Sequence, residues 1–170
     1  SGLKWLGCKF DSKIIYKSDR IEKYYAYAKK LLEKGYLYAC TCPAEEFREL
    51  KIKGVECPCR NLPVEKHLQR WEKMFKKSEA EEGSLVIRLK TDMQYPDPAF
   101  RDRVMFKISD RRHAKLGHKF RVYPTMEFSW SIDDHLLGMT HIIRGIELMM
   151  ETKVEKFIWD IFGWKHPEVI

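Results

Sequence analysis

Tyr123-Pro-Thr-Met-Glu-Phe-Ser-Trp-Ser-Ile-Asp-Asp-His-Leu-Leu-Gly-Met-Thr-His-Ile-Ile-Arg-Gly-Ile-Glu147 reads as a helix, a turn and a strand, closed by an Arg-Gly pair. Thr125 is a candidate helix cap, Gly138 marks the helix end, and Met139 to Ile143 is apolar enough for a strand. Glu147 to Phe162 then carries Leu148, Phe157, Ile158, Ile161 and Phe162, the pattern of a long amphipathic helix. Upstream, Lys13 to Tyr16 reads as a short strand, and Ser18-Asp19 with Glu22 as a capping box. Ile21, Tyr24, Tyr25, Ala28, Leu31 and Leu32 give the following helix its apolar stripe, which Gly35 ends. Tyr36 to Ala39 is strand-like, Pro43 opens a helix to about Lys53, and from Pro63 a further helix sets Val64, Leu68, Trp71 and Phe75 on one face. Ser84 to Lys90 and Val104 to Ile108 alternate as strands. The order strand, insertion, helix, strand, helix predicts a parallel α/β sheet interrupted by a small α+β lobe.

The chain has 170 residues, enough for one domain, or one with an inserted lobe, to bury a core without disulfides. Hydrophobic residues make up 44% and charged residues 34%, which excludes disorder and fibrous repeats. No apolar run is long enough to span a membrane and no secretory core opens the chain, so a cytoplasmic protein is expected. The net charge of +7 permits phosphate contacts without locating them.

Cys8 stands alone, whereas Cys40, Cys42, Cys57 and Cys59 form two Cys-x-Cys clips with residues 43–56 between them. Four thiolates match the tetrahedral demand of a structural zinc and leave no open position for a catalytic water. Free buried cysteines or two disulfides are the alternatives. His113 and His118 lack a matching ligand pair and are expected to be solvated or to face phosphate, and Asp133-Asp134-His135 occupies adjacent helix positions that point in different directions, so helix capping or packing is expected there. Lys73-Met-Phe-Lys-Lys-Ser78 imitates a nucleotide-binding loop but continues an amphipathic helix.

Taken in order, Trp5-Leu6-Gly7, Ser18-Asp19-Arg20, Cys40-Thr-Cys42-Pro-Ala-Glu-Glu, Cys57-Pro-Cys59-Arg, Arg88-Leu-Lys-Thr-Asp92, Arg101-Asp102, Tyr123-Pro-Thr and Ile132 to Gly145 resemble the archaeal and eukaryotic type of glutamyl-tRNA synthetase over nearly the whole chain. The resemblance implies a class I synthetase, with a Rossmann-type parallel sheet split by an acceptor-stem-binding insertion. Residues 1–38 would close the first half of the catalytic domain, 39–121 would form the insertion with its zinc site, and 122–170 would belong to the second half. Such an enzyme activates glutamate with ATP and Mg and passes it to the 3′ end of tRNA-Glu.

By the same resemblance, Arg144 pairs with the substrate carboxylate, Asp134 supports the site, and Met126 and Trp130 stand where the family usually has a tyrosine and a small or amide side chain. A guanidinium grips a carboxylate through two parallel hydrogen bonds and favours it over a neutral amide. The opposing reading of Arg144 is an arginine bound to the protein's own acid. Arg101, Arg103 and Lys115 are candidates for RNA phosphate contacts. The family's His-x-Gly-His and Lys-Met-Ser-Lys-Ser motifs are not found in place, so the chain is expected to be an internal fragment that is inactive alone. A non-catalytic, zinc-stabilised RNA-binding module and a glutaminyl-tRNA synthetase fragment are the rival readings, the latter weakened by Arg144.

Overall fold

Leu37–Cys40 (β1) is buried at all four positions, so material covers both of its faces. In the computed structural model, which describes residues 2–9 and 13–170, β1 pairs antiparallel with Val86–Leu89 (β2). Val104–Ile108 (β3) and Val122–Pro124 (β4) extend this sheet in chain order, each antiparallel to the strand before it. Leu37 and Ala39 belong to the main core, while Tyr38 and Cys40 belong to a smaller cluster with Phe47, Cys57 and Cys59. The alternation of side chains along a strand makes β1 the shared wall of two cores.

The architecture is mixed α/β, but among the described residues parallel pairing is confined to His141–Ile142 (β5) beside Glu168–Val169 (β6). The sequence carries strand signals in both regions, and pairing direction is set by the connections, which alternation does not encode. Lys13 to Tyr16 forms no strand: Ile14, Ile15 and Tyr16 are exposed and no neighbouring strand pairs with them.

A short helix, Gly2–Trp5 (α1), precedes the 3-10 turn Lys17–Arg20 and the helix Ile21–Glu33 (α2). The expected capping box is not formed, because Ser18 and Asp19 lie inside the 3-10 turn and Asp19 pairs with Lys115 at 2.6 Å. Gly35, at φ +76°, ends the unit as expected. Ala44–Lys53 (α3) follows Pro43, and Val64–Met74 (α4) follows Pro63. The fully buried face of α4 is His67, Trp71 and Met74, with Leu68 and Phe75 only half-buried at its margin.

Met126–Leu136 (α5) packs on Met149–Phe162 (α6), which a 3-10 turn over Ile146–Leu148 introduces. Trp159 Nε1 of α6 donates to Ser131 O of α5 at 2.8 Å, satisfying a fully buried indole. Thr125 holds the N-cap position of α5, yet its hydroxyl makes no capping bond. One contiguous core joins Ile21 of α2, the four-stranded sheet, and Val154 and Ile158 of α6.

α4 also closes the free edge of β1. Ala39 N–H donates to His67 Nδ1 at 3.2 Å, and Arg70 Nη1 donates to Ala39 O at 3.0 Å.

Candidate functional site

The loop from β5 into α6 brings Arg144 beside a cavity of about 410 Å³ lined by Trp130, Asp134, Ile142, Ile143, Arg144, Gly145 and Leu148. Three of the four residues assigned to the amino acid therefore meet, and Met126, at the exposed start of α5, is not among the lining residues. Arg144 Nη1 donates to Glu155 Oε2 at 2.7 Å and to Thr152 Oγ1 at 3.1 Å. Its guanidinium carbon lies 5.2 Å from the Trp130 ring centre, a cation–π contact. Asp134 Oδ2 stands 4.0 Å from Nη2, too far for a hydrogen bond, and has no other partner among the described residues. Burial pushes Asp134 up to about 6 and Glu155 up to about 7, the Arg144 charge opposing both shifts. Arg144 thus has its own acid, Glu155, which α6 supplies, and still lines the cavity.

Asp133-Asp134-His135 divides as adjacent helix positions must. Asp133 accepts from Arg20 Nε at 2.7 Å and from Tyr24 OH at 2.5 Å, Asp134 faces the Arg144 cavity, and His135 stacks on Trp164 at 3.7 Å.

The cysteine clips come together at the end of β1. Cys40 Sγ lies 3.9 Å from Cys57 Sγ, and Cys42 Sγ lies 3.9 Å from Cys59 Sγ. Cys40, Cys42 and Cys59 form a group whose sulfurs all lie within 4.8 Å of one another. Four Zn–S bonds of about 2.3 Å arranged as a tetrahedron require sulfurs about 3.8 Å apart; Cys40, Cys42 and Cys59 are gathered closely enough for three such ligands, and Cys57 meets that spacing toward Cys40. No disulfide links the clips. The hydrogen bond shared with Cys40 holds the Cys57 thiol below its ordinary value, while burial raises that of Cys42.

Arg101, Asp102 and Arg103 are all engaged inside the fold. Arg101 is 9% exposed, and its guanidinium donates to Tyr95 O, Lys51 O and Ile52 O, fixing the last turn of α3. Arg103 joins Glu127 of α5 at 2.5 Å and Glu151 of α6 at 3.1 Å. Asp102, fully buried at φ +39°, accepts from Tyr38 OH and Thr91 N at 2.8 Å each and from Arg60 Nη1 at 3.3 Å. Lys115 pairs with Asp19 and lies over Tyr16, half-exposed and far from the other two in its partners.

A family model for class I tRNA synthetases (E and Q), catalytic domain, matches residues 1–170. The chain belongs to that family. It is 47% identical over 168 residues to a glutamate–tRNA ligase of Methanothermobacter thermautotrophicus and 48% identical over 169 residues to one of Pyrococcus horikoshii. Each alignment takes in 99% of this chain, which spans 30% and 29% of those relatives' lengths. Among solved structures it is similar to a glutamate tRNA ligase of Elizabethkingia meningosepticum in complex with its amino acid. The TM-score is 0.63 at 22% identity, covering 98% of this chain and 37% of that one, which shows a likeness of fold.

The polar side of α4, where the sequence puts Lys66, Arg70 and Lys73 to meet either RNA or water, borders a cavity in this synthetase-family chain. Lys66, Arg70 and Lys73 of α4 line a cavity of about 400 Å³ together with Thr41, Gln69 and Ser84. Glu79, its one acid, is paired with Lys76 at 2.7 Å. Thr41 sits between Cys40 and Cys42, and its hydroxyl lies 3.5 Å from Cys59 Sγ, so the cleft adjoins the cysteine cluster through Thr41. The spacing of 66, 70 and 73 on a helix was the available signal.

Proposed function

We propose that the chain recognises glutamate and the acceptor stem within a glutamate–tRNA ligase, the whole protein activating glutamate with ATP and Mg and transferring it to tRNA-Glu. In this reading residues 1–38 close the first half of a Rossmann-type catalytic domain, 39–121 form the acceptor-stem insertion, and 122–170 begin the second half. The observation that carries it is Arg144 at the rim of a cavity of about 410 Å³, at the end of the segment that runs from Ile132 to Gly145. Arg144 presents a permanent positive charge to a ligand carboxylate, which the amide of glutamine cannot use in the same way. Asp134 stands beside it, placed to accept from a ligand ammonium or from Arg144 itself. Trp130 covers one face of the guanidinium and narrows the pocket.

Zinc held by Cys40, Cys42, Cys57 and Cys59 would be structural, fixing the loop at Thr41 and with it the basic cleft. Lys66 and Lys73 are better placed for RNA phosphates than Arg101 or Arg103, whose guanidinium groups serve the fold, and Arg70 divides itself between the cleft and Ala39 O. Phosphate contacts of this kind position RNA and leave base reading to other groups.

Binding of tRNA-Glu and an unrelated tRNA, measured over a salt series with and without a zinc chelator, tests this reading. Preference for tRNA-Glu that is lost on chelation is the expected result. Lys66→Glu with Lys73→Glu should reduce the salt slope by about 2, whereas Arg101→Ala should leave it unchanged. Equal binding of both tRNAs by every variant would refute the assignment.

A further inference from the structure

Glu155 has no role in the recognition just described, yet it is the charged group buried most completely beside Arg144. Its carboxylate and the Thr152 hydroxyl sit three residues apart on one face of α6, and both accept from Arg144 Nη1. Two hydrogens on Nη1 meet two acceptors, so that nitrogen is saturated. The Thr152 hydroxyl is fixed in turn, because it donates to Leu148 O at 3.2 Å. Among the described residues neither Nε nor Nη2 makes a hydrogen bond, the nearest acid on Nη2 being Asp134 at 4.0 Å. Trp130 holds the flat face of the group. The guanidinium is therefore fixed in its plane at one corner and on one face, with its Nε–Nη2 edge left for a ligand.

We propose that Glu155 is a positioning residue for substrate recognition. With Thr152 it locks Arg144 so that the Nε–Nη2 edge meets a ligand carboxylate as a preformed fork and distinguishes it from a neutral amide. The inference rests on Arg144 being the glutamate-recognising residue. A long flexible arginine that must be ordered at the moment of binding loses affinity, and one ordered beforehand does not. Burying an acid against a cation that must bind a second acid is unfavourable in charge, so the geometry it imposes is what this arrangement provides.

The test is a titration of the full 170-residue chain, uniformly labelled with nitrogen-15, by L-glutamate and separately by L-glutamine, following the Trp130 indole and Gly145 amide resonances, both from cavity-lining residues that no variant replaces. Wild type, Glu155→Ala, Glu155→Gln, Thr152→Val and Arg144→Met are compared. Glu155→Ala should weaken glutamate binding by about tenfold and leave glutamine unchanged, erasing the preference. Glu155→Gln keeps an acceptor on Nη1 and should restore glutamate affinity to within about threefold of wild type. Should Glu155→Ala fail to fold, Thr152→Val removes one of the two acceptors and should lower glutamate affinity by about threefold. A folded Glu155→Ala or Thr152→Val that keeps wild-type affinity and preference overturns the positioning role alone. Wild type and Arg144→Met responding alike to glutamate, or wild type not responding, overturns the reading of Arg144 beneath it.

Discussion

Asp102→Ala removes, in one truncation, the acceptor shared by Tyr38 of β1, Thr91 after β2 and Arg60 beside the cysteines. The Asp102 side chain is fully buried and that of Arg60 is 12% exposed, so solvent cannot replace what is lost. A buried donor left unpaired costs about 1–3 kcal/mol, and breaking a buried ion pair from one side costs about 3–5 kcal/mol. These terms overlap, and Arg60 retains Glu56 at 3.0 Å and Thr91 O at 2.8 Å. A net loss of about 4 kcal/mol is expected, toward the middle of the ion-pair range. With a urea slope of about 2 kcal/mol/M, the unfolding midpoint followed by circular dichroism should fall by roughly 2 M at unchanged slope. Asp102→Asn keeps the shape and tolerates the φ of +39°, and should lose only about half as much. Asp102→Gly relieves the backbone that alanine would strain and should recover about 1 kcal/mol relative to Asp102→Ala. A midpoint shift below roughly 0.5 M for Asp102→Ala would refute the view that this carboxylate organises the fold.

Cys59→Ser should lower zinc content below one ion per chain and weaken binding of a cobalt probe, with loss of the thiolate charge-transfer band as the measured signal. Gly54→Ala places a Cβ 2.9 Å from Met93 O at a φ of +70°, and should destabilise the chain by about 1–3 kcal/mol, read from its thermal midpoint. Burial holds Glu155 near 7 and Asp134 near 6, so the folded chain binds these protons more tightly than the unfolded chain. Their stabilising contribution is complete below the unfolded values of roughly 4 and is lost as pH rises through 6 to 7. For Glu155 the loss is about 3 kcal/mol, so Glu155→Gln should flatten the upper part of the stability profile between about pH 5 and pH 8. A profile identical in the two proteins would contradict that assignment.

Helices were legible where apolar period, proline and glycine agreed, as in α2, α3 and α6, and the two clips of cysteine announced their own meeting. Sheet direction was not, because β1 to β3 carry ordinary strand signals and only their connections make them antiparallel, while the three residues of β4, ending in Pro124, are too short to be read as a strand. In α4 the true buried face, His67, Trp71 and Met74, was displaced from the expected stripe by a polar residue. His67 satisfies a strand edge, a role that no apolar count detects. Arg101 and Arg103 looked like surface cations for a similar reason: nothing local to a loop tells an arginine in solvent from one bonded to carbonyls fifty residues away. The triple division of Asp133, Asp134 and His135, by contrast, followed from helix geometry alone.

The cover on the outer edge of β1 has a further effect, on how copies of the chain behave toward each other. An unpaired strand edge is a template for another strand, and here the Ala39 amide is withdrawn from that use by His67. Only the neutral ring can accept this bond, since a protonated imidazole offers no lone pair. Burial, with Lys90 and Arg70 adding to it, holds His67 below its ordinary value, so the folded chain keeps the seal further into acid than a free imidazole would. Once the ring takes its proton this bond is lost and Arg70 on Ala39 O is left to cover the edge, which weakens the barrier to strand-to-strand self-association. Light scattering should then rise with chain concentration on acidification, and a flat response down to about pH 4 would count against this. One imidazole would in that case govern the colloidal behaviour of the molecule.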